Sequence, residues 1–277
     1  MHRRDLLFLL VALIVIVPFV LGPLLWLVKI FLTGISELHF DFLFALPENA
    51  GREGGIFPMI VSTFYIIALC LLFCIPLGFL VVYFLLHNEM ENKYTFWDSW
   101  IRYAMASFGS APSIVFGLLG VAIFADFFGF GVSILSGALT LSVMVLPYFV
   151  SGSLSAFQKA NHIHGLAAKS SGLQYSSIFF KILFPAAISG IWASFFVALT
   201  RALAETAALL FTSGYALNVP KSIFDSGRAL SVHIFDLAFQ VPGGSAKAYA
   251  SASVLVVIII FMNVLAKIFQ KGVSFGS

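Results

Sequence analysis

Residues 165–172 read Gly165-Leu166-Ala167-Ala168-Lys169-Ser170-Ser171-Gly172, and nine residues later come Ile182-Leu183-Phe184-Pro185. The surrounding stretch, 159–183, is moderately polar, lacks proline and separates two long apolar runs. The pattern predicts two short helices meeting near Ser170-Ser171-Gly172, with the glycine supplying the backbone freedom of the turn. Pro185 then opens the next helix, where a missing N–H costs nothing. Two ordered helices exceed what a connector needs, so the loop reads as a contact surface whose small alanines fit a partner's cleft. It is not a nucleotide cradle. A phosphate loop needs a glycine directly before Lys169 and a buried strand ahead of it, and neither is present.

On both sides of this loop the chain is hydrocarbon-like. Of 277 residues, 61% are apolar and only 10% charged, against roughly 25% charged in an ordinary soluble domain. So few ionic groups exclude a soluble enzyme and a disordered chain. A net charge of +3 is too small for a nucleic-acid footprint. Six apolar segments reach spanning length, near 6–33, 57–86, 101–125, 132–157, 184–213 and 249–269. They are long and do not alternate, so they are helices rather than barrel strands. The expected class is an all-α polytopic membrane protein with six transmembrane helices. The first segment is too long for a signal-peptide core and has no small-residue cleavage site, so it is read as a retained span. Placing the N-terminus inside puts Arg3, Arg4, Lys93, Arg102, Lys159, Lys169, Lys181, Lys267 and Lys271 in the cytoplasm, against Arg52, Lys221, Arg228 and Lys247 outside. That excess follows the positive-inside rule and leaves both termini cytoplasmic. The long outer loop 214–248 carries a stretch around Ser222–Phe235 that suits an interfacial helix better than a seventh span. Cys70 and Cys74 read as apolar packing residues, and His162 and His164 as surface contacts.

The fifth span contains Thr200-Arg201-Ala202-Leu203-Ala204-Glu205-Thr206-Ala207-Ala208. Insertion scales assign each mid-membrane charge roughly 2.5–3.5 kcal/mol, and a packing role alone does not require two. Four residues apart, Arg201 and Glu205 share a helix face with Ala208 and Thr212. Arginine's planar fork suits a tetrahedral oxyanion, so this face is read as an anion way-station, with Glu205 and Thr206 beside it. In the third span Ser107, Ser110 and Ser113 flank Pro112. A proline frees a carbonyl there, and Ser110 and Ser113 either bond their own helix or help coordinate the ion. Ser189, Gly190, Ala193 and Ser194 are spaced for close helix packing.

The loop 165–185 resembles the signature loop of ABC-transporter permeases, Glu-Ala-Ala, three residues, Gly, nine residues, Ile, one residue, Leu-Pro. Ala167, Ala168, Gly172, Ile182 and Pro185 match, while Leu166 replaces the Glu and Phe184 the Leu. The stretch Arg201–Ala207 is similar to the Arg-Ala-x-Gly-Glu-Thr-Ala of phosphate-uptake permeases of the PstA type. Gly54–Ile60, Ala111–Leu118, Leu139–Leu141 with Leu146-Pro147, and Ser231–Phe235 are also similar to that family, so the likeness runs over about 54–268. Ala204 stands for the family's Gly and Ala208 for a common Pro, which predicts a softer kink. The resemblance implies a type I ABC importer permease fold, organised as a first helix and outer loop (1–53), an importer transmembrane domain (54–270) with a coupling loop at 159–183, and a cytoplasmic tail (271–277). It implies a bacterial inner-membrane phosphate importer working by alternating access. The substrate pathway would use Arg201, Glu205, Thr206, Ser110 and Ser113, and the ATPase would dock at Gly165, Ala167, Ala168, Lys169 and Gly172. Implied partners are a second permease (PstC type), two copies of a cytoplasmic ATPase (PstB type) holding ATP and Mg, and an external phosphate-binding protein (PstS type). This chain itself would bind no cofactor or metal. The alternatives are a permease for sulfate, molybdate or phosphonate, or a membrane phosphate sensor that transports nothing.

Overall fold

A chain this apolar hides its backbone polar groups in helices, and the computed structural model describes residues 3–93 and 95–274 as a helical bundle. Met1, His2 and residues 275–277 of the expected tail lie outside the described residues. In order the helices are α1 (Arg3–Gly34), α2 (Phe40–Phe44), α3 (Phe57–Met90), α4 (Phe96–Ser110), α5 (Ser113–Gly120, continued by a π-helical turn Val121–Phe127), α6 (Ile134–Ser170), α7 (Tyr175–Ile178), then a second π-helical turn Phe179–Leu183 leading into α8 (Phe184–Leu203), α9 (Ala207–Thr212), α10 (Leu230–Phe239) and α11 (Ser245–Ser274). A two-stranded hairpin, β1 (Pro47–Glu48) and β2 (Glu53–Gly54), sits between α2 and α3.

Among the described residues five helices are long and apolar enough to cross a membrane without interruption. The expected third span is instead a broken pair. α4 and α5 are bent by 107° because Ala111 and Pro112 are both extended, at ψ 142 and ψ 139. A proline disfavours helical backbone in the residue before it, so the break falls where the sequence places Pro112. The fourth expected span also differs. α6 runs unbroken for 37 residues, through Pro147, and its far end is the first of the two short helices expected in the loop. The turn falls at Ser171–Gly172, where Gly172 takes φ +69, and α7 follows.

α6 is the axis of the bundle, packed along α3 on one side and α8 on the other. Ile66, Cys70 and Cys74 of α3 meet Leu141, Val145 and Phe149 of α6 and Ala198 of α8 in the main core, so both cysteines pack as apolar residues. A second core nearer Met90 is aromatic, with Phe157 stacked on Phe179 at 4.7 Å and Tyr83 edge-on to Tyr175 at 4.9 Å. The close approach of α6 and α8 depends on the expected small residues. A Cβ at Gly190 would overlap that of Ala156, and Ser194 lies directly against Gly152. Gly190→Leu is therefore expected to push the helices apart at a cost of about 1–3 kcal/mol, seen as a lower unfolding temperature of the detergent-purified protein. An unchanged temperature would show that the seam yields freely.

Candidate functional site

The fifth span breaks where its charges are. α8 ends at Leu203, Ala204 and Thr206 leave helical register (Thr206 at φ −123, ψ −50), and α9 resumes at Ala207. The softer kink expected from Ala204 and Ala208 is thus corrected to a full break, made without glycine or proline. Its cause lies in side chains that take over the freed backbone groups. Glu205, almost fully buried, uses one carboxylate oxygen to accept the Ala208 N–H at 3.3 Å, capping α9. Its other oxygen meets Arg201 Nη1 at 3.1 Å. From α10, the Ser231 hydroxyl donates to the Glu205 carbonyl at 2.6 Å. Backbone groups freed at a break need such partners where water is scarce, and here both halves of Glu205 are committed.

The face predicted for Arg201, Glu205, Ala208 and Thr212 is consequently divided. Glu205, Ala208 and Thr212 are buried, whereas the Arg201 side chain is 37% exposed. Only one guanidinium nitrogen is engaged by Glu205, leaving the rest of the fork presented outward. The guanidinium carbon lies 5.9 Å from the ring centroid of Tyr148 on α6, within cation–π range. Tyr148 donates in turn to the Gly109 carbonyl at 3.1 Å, so it ties Arg201 to the end of α4 next to the other break. The two breaks also meet through their second halves, α5 and α9, which pack together where Gly117 faces Ala208 and Phe211. Thr206 is half-buried, with its carbonyl accepting from Leu210 N–H at 2.9 Å. Ser110 is exposed and bonds its own helix, to the Ser107 carbonyl at 3.1 Å, and Ser113 is half-buried at the start of α5. Among the described residues no hydrogen bond joins either serine to Arg201. Sequence reasoning missed Tyr148 and the role of Ser231; the signal available was a tyrosine directly after Pro147, a polar ring in an apolar helix.

The expected interfacial helix is α10, which begins only at Leu230 within the expected stretch and is packed against the bundle. Leu230, Val232 and His233 are buried, and the Leu230 N–H donates to Thr63 on α3 at 2.8 Å. Beside it Arg228 Nη1 pairs with Asp236 at 2.7 Å, both about nine-tenths buried, and Arg228 Nε donates to the Tyr215 carbonyl. Burial and the nearby Arg228 cation hold the His233 imidazole down to about 3, so the ring is neutral throughout the physiological range. Removing one member of a buried pair leaves the other charge stranded. Asp236→Asn is expected to cost about 3 kcal/mol or more, and a denaturant or thermal unfolding series of the purified protein measures it. A cost below 1 kcal/mol, the range of exposed pairs, would mean that water reaches Arg228.

At the other end of α6 the loop residues fall on two sides. Gly165 and Ala168 are buried, Ala167 and Lys169 are exposed, and Leu166 (82%) and Ile163 (64%) stand out fully. The Lys169 ammonium reaches back to the Met90 carbonyl. A concavity of about 370 Å³ is lined there by Glu89, Asn92, Asn161, Leu166 and Lys169. His162 and His164 are exposed, as expected of surface contacts.

Residues 89–275 match the family described as "Binding-protein-dependent transport system inner membrane component". The chain belongs to this family. It is 30% identical over 253 residues to the "Probable ABC transporter permease protein YqgI" of Bacillus subtilis (strain 168), covering 86% of this chain and 85% of that one. It is 27% identical over 253 residues to the "Phosphate transport system permease protein PstA 2" of Mycobacterium tuberculosis (strain CDC 1551 / Oshkosh), covering 90% and 82%. An inward-facing structure of the MetNI methionine ABC transporter superposes with a TM-score of 0.61 at 14% identity, over 78% of this chain and 96% of that one. The fold is therefore that of a type I ABC importer permease, and the chain is a multi-pass membrane protein. Its relatives are permease components, with ATP hydrolysis carried by a separate subunit.

Proposed function

We propose that the chain is the PstA-type permease of an ATP-driven importer of inorganic phosphate, working by alternating access with both termini in the cytoplasm. The observation that carries this reading is the Arg201 fork, held from one side by Glu205 at a helix break and otherwise open. A guanidinium offers paired donors to two oxygens of a tetrahedral oxyanion, and a carboxylate already sharing the cation keeps the grip weak enough for release. The naming of relatives as phosphate permeases supports the same substrate. One chain exposes Arg201 on its flank, so a second, PstC-type permease supplies the facing wall. Of two PstB-type ATPases, with ATP and Mg, one docks at Gly165–Gly172 and the other on the second permease, and a PstS-type binding protein delivers the ion at the α10 end.

The test is uptake of radiolabelled phosphate by cells or proteoliposomes holding the complete transporter, in competition with sulfate, molybdate and phosphonate. Uptake blocked by unlabelled phosphate alone sustains the proposal. Stronger competition by another oxyanion transfers the site to that ion, and absence of flux with every partner present makes the chain a sensor.

A further inference from the structure

A cavity of about 470 Å³ opens between α4 and α6, with Leu85, Arg102, Met105, Gly109, Tyr148 and Ser151 on its walls. Tyr148 belongs to two places at once, lining this cavity and lying under the Arg201 guanidinium. Beyond it, α6 exposes Ser151, Ser155 and Lys159, each three or four residues from the last and so on one face. On the other side of Tyr148 the same helix is buried at Leu141, Met144 and Val145. The Ser155 hydroxyl donates to the Ser151 carbonyl at 2.9 Å, while the Ser151 hydroxyl and the Lys159 ammonium gain nothing from acyl chains, and at the far end of the cavity Arg102 stands 3.4 Å from Glu89.

We propose that this cavity and the polar face of α6 are the inner half of the anion route, and that Tyr148 is the gate between them and Arg201. The substrate in this step rests on the phosphate reading above; the route does not. The ring lies on one side of the cation, its centroid 5.9 Å from the guanidinium carbon, and its hydroxyl is latched to the Gly109 carbonyl, two residues before the α4–α5 break. A shift of α4 against α6 breaks that one hydrogen bond and frees the ring to turn. The oxyanion then passes from Arg201 along the Ser151 and Ser155 hydroxyls toward Arg102, whose pairing with Glu89 keeps it from holding the ion.

The test uses the assembled transporter with S151C or S155C, since the native Cys70 and Cys74 are buried and give little background. A membrane-impermeant anionic thiol reagent applied from the α6–α7 side is expected to label both positions, and saturating phosphate to slow that labelling. From the opposite side labelling is expected to be slow. A closed gate leaves an open minority of no more than about 10%, so Tyr148→Ala raises that rate roughly tenfold, and Tyr148→Phe, which keeps the ring but loses its latch to the Gly109 carbonyl, raises it by a smaller factor. Labelling by lipid-soluble reagents alone would set this face against acyl chains and overturn the proposal. So would equal rates from the opposite side with and without Tyr148→Ala. Protection by sulfate in place of phosphate would sustain the route and overturn the phosphate reading.

Discussion

Arg201→Ala is expected to lower phosphate uptake by a factor of about 100 or more, while the subunit still inserts and joins its partners. A charge-assisted hydrogen bond contributes roughly 1.5–3 kcal/mol, and an oxyanion held by two of them loses both, which is about two powers of ten at the least. Arg201→Lys keeps the charge and loses the planar fork, so it should fall between the two, with uptake reduced about tenfold. The ambiguity lies in Glu205, which is buried and would be left without its cation. An unpaired buried charge is itself destabilising. The double variant Arg201→Ala with Glu205→Gln removes that charge and leaves a side-chain oxygen for the Ala208 N–H. If uptake stays lost in a double variant that assembles normally, the guanidinium is needed for the ion. If uptake returns, Arg201 serves only to neutralise Glu205, and the anion reading is wrong.

Much of this was legible before any coordinates. Long apolar runs located five helices of spanning length, although the run expected as the fifth span is broken at Ala204–Thr206, and the turn at Gly172 followed from a glycine between helical stretches. The spacing of Arg201 and Glu205 marked them as neighbours but left open whether they pair with each other or Arg201 reaches across to a second subunit; the structure pairs them at 3.1 Å, with Glu205 lying outside both helices. What escaped were the breaks. Pro112 was recognised as a kink, yet the 107° turn depends on Ala111 also being extended, and periodicity does not register two residues. At Ala204–Thr206 only a soft kink was expected, and with neither glycine nor proline there the residues carry no signal of a full break. The break is sustained by Ser231, 26 residues downstream, and by a carboxylate that caps one helix while pairing with a cation on another. Tyr148 was passed over for a related reason. Its significance comes from Arg201, 53 residues away, and from Gly109, 39 residues before it, and a pattern confined to one helix contains neither.

Ala167→Trp tests the other end of α6 and should have an effect of similar size. Ala167 is exposed beside Leu166 and Ile163, whose apolar side chains protrude where a monomer would gain nothing by showing them. An indole there is exposed, so folding should be unaffected, but under the proposed docking it overfills the partner's cleft that the small alanine would enter. The expected result is an inserted subunit that no longer retains the ATPase on purification and no longer takes up phosphate. Gly172 separates attachment from transmission. A Cβ at this position would meet nothing within 4 Å, yet its φ of +69 is a strained conformation for a β-branched residue. Gly172→Val should therefore distort the turn rather than block the surface. The ATPase should remain bound and hydrolyse ATP, while uptake falls and loaded binding protein no longer stimulates turnover. Between Lys169 and Tyr148 runs roughly 30 Å of continuous helix, stiff enough for a displacement at the turn to arrive at the ring beneath Arg201. If Ala167→Trp retains both the ATPase and normal uptake, the protruding end of α6 is not where ATP's energy enters, and the link from that turn to Arg201 falls with it.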